Sequence, residues 1–178
     1  MRQNAVAAMF DQAMTVLTDK GFPPKALASK VCYSVDSLYK VVTAGRAIPT
    51  QARQKLAGEN LLFGLAVALE GTDYRVFDRP EGDRHIQSVL QHVMIEDEEA
   101  DVAVKSLPRI LLDARGPGDL TPDARKFLEK AAHEVCEDIR WKFELLVNLE
   151  AQFGLDIIQK CLLQKEKTTC AATRAAHG

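Results

Sequence analysis

One apolar stripe restricts this chain more than any other feature. Leu128, Ala132, Val135, Ile139, Phe143, Leu146, Leu149 and Phe153 recur every three or four residues, the spacing of a single α-helical face. Thr121-Pro122-Asp123 precedes the stripe: a hydroxyl cap, a proline for the first turn and an acid for the positive end of the helix dipole. Gly154 follows it, where a C-terminal cap belongs. A helix over 122–153 is more than about 45 Å long. It must lay its stripe on a helix over 83–107, on a second copy of the chain, or on both. Composition agrees with helices packed on helices. Aromatics are only 6% and Leu, Ala and Val dominate, a mixture that favours helix over sheet. The expected class is all-α.

The rest of the chain reads the same way. Val6, Met9, Phe10, Ala13, Val16 and Leu17 mark a helix over 4–20 that Gly21 stops. Pro23-Pro24 restarts the chain, with Pro24 suited to a first turn. Short helices are expected over 24–31 and 35–43, with Ser34 as the N-cap of the second and Gly45 breaking it. Thr50 is expected to cap a helix ending at Gly58, and an apolar helix over 59–70 ends at Gly71. Thr72-Asp73-Tyr74-Arg75 and Arg79-Pro80-Glu81-Gly82 carry turn chemistry, with Val76-Phe77 pinning the connection to a core. The expected division is therefore 1–71, a linker over 72–82, a helical unit over 83–163 and a flexible tail over 164–178. Pro108 is expected to interrupt the helix that begins after Asp83, and a last helix is expected over 155–163.

Charge is unevenly spread. Between residues 20 and 58 there are seven Lys and Arg against Asp36 alone. From residue 80 onward acids outnumber bases, 18 to 13. Segments of opposite sign suggest two jobs, one of them attraction to a polyanion. The longest apolar run, 61–69, is far short of the roughly 20 residues a bilayer requires, so no membrane span is expected. The first residues lack a signal-peptide layout, which predicts a cytoplasmic protein. Cys32, Cys136, Cys161 and Cys170 have no C-x-x-C spacing and are expected to be reduced, mostly packed thiols.

The informative segment runs from Pro24 to Thr43. Counted from Pro24, apolar residues fall fourth (Leu27), eighth (Val31), tenth (Tyr33), fifteenth (Leu38) and eighteenth (Val41), with the small Ala28 fifth. This is a helix-turn-helix pattern: the small residue lets two short helices cross closely. The flanking apolar side chains lock the crossing, so the second helix can protrude into a major groove about 12 Å wide.

Through Leu27-Ala28-x-Lys30-Val31, Ser34-x-x-x-Leu38 and Gly45-Arg46-x-x-Pro49, residues 4–70 resemble the lambda-repressor/Cro-like, or XRE-type, regulators. The resemblance implies a five-helix DNA-binding bundle with a recognition helix at about 35–43, followed here by a helical C-terminal domain with one long helix. It implies double-stranded operator DNA as partner, bound by a homodimer held through the C-terminal helices. Cys32 stands where the family commonly has Gly at a positive-φ turn, and Gly45 and Pro49 come about one residue late. Carried over residue by residue, Lys40 would donate to guanine, Val35 touch a thymine methyl and Asp36 accept from cytosine. Ser37 lies on the same face. Tyr39, Ser34 and Lys25 would reach phosphates, and Arg46 would clamp the backbone just after the recognition helix. Lys30 and Arg53 are weaker candidates.

No enzyme is expected. The chain has no Gly-rich phosphate loop, no G-x-S-x-G and no H-E-x-x-H, and its helical second half does not suit the self-cleaving Ser/Lys domain of some phage repressors. His85, His92 and Glu96 would need His133 and Glu137 to converge on them to hold a metal, so neither metal nor cofactor is expected. Trp141 should lie at a helix–helix seam. The functional expectation is a transcriptional regulator, a prophage-derived one among the options. The alternative is an antitoxin-like interaction module whose acidic helices bind another protein, a reading that an unpaired apolar groove on the second half would favour.

Overall fold

The computed structural model describes residues 2–162 apart from 73 and 113, so the tail expected over 164–178 lies outside the described residues. These are all-helical, with no strand among them. Seven helices follow in order: α1 (Arg2–Asp19), α2 (Pro24–Lys30), α3 (Val35–Thr43), α4 (Thr50–Ala57), α5 (Leu61–Thr72), α6 (Ile86–Ile110) and α7 (Pro122–Phe153). No helix among the described residues is long and apolar enough to cross a membrane.

Helices α1 to α5 share one core. Phe10 of α1 meets Phe63 of α5 edge-on, with ring centroids 4.8 Å apart, and both rings are fully buried. Leu38, Val41, Ala52 and Leu56 close the core from α3 and α4. Asn60 is buried at the start of α5. It accepts from the Phe63 N–H at 2.9 Å and donates to the Ala13 carbonyl at 3.0 Å, so one amide caps α5 and ties it to α1. The far end of α7 enters the same core through Val147, and Ile157 and Ile158 follow it. Glu150 of α7 accepts from the Leu61 N–H at 2.7 Å. Burial pushes its carboxyl upward, against the Leu61 hydrogen bond and the Lys20 charge, while Asp156 adds to the rise.

Three turns in the first half end in left-handed residues: Gly21, Cys32 and Gly45. The turn after α2 is built by backbone. The Cys32 N–H donates to the Ser29 carbonyl at 3.2 Å and the Tyr33 N–H to the Ala28 carbonyl at 2.8 Å. That paired geometry requires a left-handed residue at Cys32, which adopts φ +58°. A Cβ there is strained by about 1 kcal/mol. Cys32→Gly is therefore expected to raise unfolding stability by about 0.5–1 kcal/mol, measured by urea titration. A loss of stability would mean that the Cys32 contacts outweigh the strain.

Helix α6 continues through Pro108 to Ile110, where an interruption was expected. Pro108 lies in the final turn and is exposed. It removes one N–H there, and water is at hand for the carbonyl left open. Thr50 opens α4 within the helix and Pro49 takes the cap position. Instead of a full helix over 155–163, a short helical turn covers Ile158–Leu162. Cys32, Cys136 and Cys161 are free and exposed, correcting the expectation of mostly packed thiols for these three; Cys170 lies outside the described residues. Their spacing carries no information about burial.

Candidate nucleic-acid interface

Helix α3 begins at Ser34. Its hydroxyl accepts from the Ser37 N–H at 3.1 Å and donates to the Ser37 hydroxyl at 2.7 Å. Ser34 is thus engaged as the helix cap, as its position predicts. Leu38 and Val41 point inward and are buried. The opposite side carries Asp36 and Tyr39, both exposed, with Val35, Ser37 and Lys40 half-buried. Thr43, which the spacing did not single out, lies one turn beyond Tyr39 and donates its hydroxyl to the Tyr39 carbonyl at 3.0 Å. Lys40 pairs with Asp36 one turn back. These two groups neutralise each other on the outer face, so either must leave the other before it meets a base.

The surrounding cations fall into two sets. Lys30 is taken up by Glu59 at 2.8 Å and lies over the Phe22 ring. Arg53 pairs with Glu70 at 2.8 Å and donates to the Ile48 carbonyl at 3.2 Å. Glu70 also accepts from the Ile48 N–H at 2.7 Å. Arg53 and Glu70 therefore hold the chain that follows α3. By contrast, Lys25 and Arg46 are exposed and carry no ion pair among the described residues. Lys55 stands beside the turn, donating to the Cys32 thiol at 3.4 Å. Sequence spacing did not single out Lys55, because its place depends on how α4 packs.

The acidic half is organised differently. Trp141 is buried and stacks on His92, with centroids 4.0 Å apart and planes 7° from parallel, at the α6–α7 seam where it was expected. His85 caps α6 by accepting from the Gln87 N–H, and Glu137 pairs with Arg140 and Arg75. The carboxylates that converge are another set: Glu96, Glu99 and Glu134, with oxygens within 4.8 Å of one another. The Glu96 carboxyl rises above its ordinary 4.5. Burial is the largest cause, followed by Glu99, Glu137 and Glu134, with His92 opposing. The fold therefore disfavours the charged form, and this group adds stability as pH falls through its raised value toward 4.5. Glu96→Gln is expected to raise Tm by about 1–2 °C at pH 7, with the gain shrinking as the pH is lowered. A thermal series in pH checks it; a gain that does not change with pH excludes the linkage.

Between α5 and α6, Arg79 is buried and bonds Glu144 of α7 through two nitrogens, the Nε contact measuring 2.6 Å. Its remaining nitrogen donates to Gln12 of α1. Arg140 donates to the backbone carbonyls of Asp78 and Arg79 at 3.3 and 3.2 Å. Phe77 packs toward Phe143 with centroids 6.4 Å apart. The connection is thus clamped to α1 and α7 together.

No family model matches this chain, and no curated protein or solved structure shows significant similarity to it.

Proposed function

We propose that this chain is a sequence-specific DNA-binding transcriptional regulator of the lambda-repressor/Cro-like type. Helices α1 to α5 form its DNA-binding bundle and α3 is its recognition helix. The observation that carries this reading is the left-handed turn at Cys32 between two short helices, from which α3 runs with a polar outer face. Its neighbours Lys25, Arg46 and Lys55 are exposed.

Lys40 exchanges Asp36 for guanine O6 and N7, Val35 meets a thymine methyl, and Asp36, once released, accepts from cytosine N4. Lys25, Tyr39 and Arg46 hold phosphates and set the register. Ser34 serves mainly by capping α3. The chain acts as a homodimer, which presents two recognition helices about 34 Å apart, one turn of DNA. The surface for this contact is the α6 stripe Leu90, Met94 and Val104, all exposed. Asp97 and Asp101 lie within this face between Met94 and Val104, and each is already paired, Asp97 with Lys142 and Asp101 with Lys105.

Selection of bound sites from random DNA, followed by a gel-shift salt series, tests the reading. One motif should be enriched, and log K should fall steeply with log salt. Lys40→Ala should cost about 1–3 kcal/mol and relax preference at one base pair. Failure to enrich any motif, or unchanged discrimination by Lys40→Ala, refutes the respective claim.

A further inference from the structure

The α6–α7 hairpin carries a groove of about 470 Å³ on a different side of α6 from the Leu90–Met94–Val104 stripe. At 100° per residue, the groove-lining Ile95 and Val102 are turned about 80–180° around α6 from the members of that stripe. Ile95 is 52% and Val102 61% exposed, although both line an apolar trough with Phe127 and Ala131 of α7. The lining spans 95–106 on α6, about 16 Å along the axis, room for three turns of another helix.

The charge on its rim selects among occupants. Glu98, Glu99 and Glu134 border the trough against a single cation, Lys130. A second copy meeting this patch through a two-fold axis places the same patch on itself. It would bring six carboxylates against two ammonium groups into one interface, a juxtaposition that opposes association. In the Glu96–Glu99–Glu134 cluster at the seam only Glu134 has a cation at hand among the described residues, Lys130 at 4.0 Å, and burial, followed by the Glu99 charge, raises the Glu96 carboxyl. What the surface lacks is an apolar ridge flanked by cations.

We infer that this groove docks an amphipathic helix of a different protein, with apolar residues at helical spacing and Lys or Arg along its flanks. Such a helix seats its ridge on Ile95, Val102 and Phe127 and its cations on Glu98, Glu99 and Glu134. The inference is independent of the DNA reading, since the groove lies about 20 Å along α7 from Val147, where α7 joins the α1–α5 core.

The test is fluorescence anisotropy of the full chain against two labelled synthetic peptides of about 18 residues. Both carry leucines at helical spacing; one has lysines and the other glutamates on the remaining face. The Leu/Lys peptide should bind and the Leu/Glu peptide should not. Ile95→Asp with Val102→Asp should weaken Leu/Lys binding by about tenfold or more. Diffuse attraction predicts the opposite, because this variant is more negative than the parent. Glu98→Lys with Glu99→Lys should shift preference toward the Leu/Glu peptide. All four positions are exposed, and a cooperative thermal melt confirms that each variant folds. Equal binding of both peptides, binding of neither, or undiminished binding by the Asp variant overturns the inference. So does a dimer in light scattering that the Asp variant dissociates, because the groove would then belong to a second copy.

Discussion

Glu144→Ala is expected to cost the fold about 3–5 kcal/mol. Glu144 is 1% and Arg79 6% exposed at their side chains, so removing one partner strands the other charge where water cannot reach it. Asn148 also donates to Glu144 at 3.0 Å, and its amide loses that acceptor. Arg79→Ala should fall in the same range, because it leaves Glu144 buried and charged. Replacing both partners together, Arg79→Met with Glu144→Leu, should cost much less than either truncation, since no charge is then left buried. Urea unfolding of the three variants separates these outcomes. If the double replacement is as damaging as the single ones, the clamp rests on shape and not on charge.

The second large effect concerns DNA. Reversing Lys25, Lys40 and Arg46 together to Glu should lower affinity for the selected site by about 10³-fold or more and reduce the salt slope by about three. Stability should hardly move. Lys25 and Arg46 carry no ion pair among the described residues, and the Lys40–Asp36 pair is a surface contact one helical turn long worth about 0.2–0.5 kcal/mol. Gel shifts with a parallel thermal melt measure both. Retained affinity in the triple variant would remove α3 from the interface.

What could be read from the chain and what could not divide along physical lines. Helix starts and stops are written in local chemistry. Ser34, Thr121 and Gly154 cap where their types demand, and Thr121 and Gly154 set the ends of α7 at Pro122 and Phe153. The stripe itself did not give the buried face: Ala132, Ile139 and Phe153 are exposed, while Ala131, Trp141, Glu144 and Val147 are buried, because the partner that covers a helix is chosen by tertiary packing. The strain at Cys32 was legible as a departure from Gly in a turn that needs positive φ. Arg79 was not legible. It stands in a Pro- and Gly-bearing stretch that reads as solvated turn, and its partner is 65 residues away. Burial of that kind depends on tertiary packing, which carries no local pattern. The convergence of Glu96, Glu99 and Glu134 was hidden for the same reason: one of the three comes from the opposing helix. Around α3, spacing indicated which side chains face outward. It did not reveal that Arg53 and Lys30 are already held by Glu70 and Glu59.

The placement of the groove along α7 has an electrical consequence. Helix α7 has 32 residues and is about 48 Å long. One end is rooted in the lysine- and arginine-rich head and the other carries the glutamate rim. Opposite charges held apart on a rod give the molecule a permanent dipole moment out of proportion to its net charge of −2. In the field of a polyanion such a body rotates before it lands, cationic head first and glutamate end trailing outward.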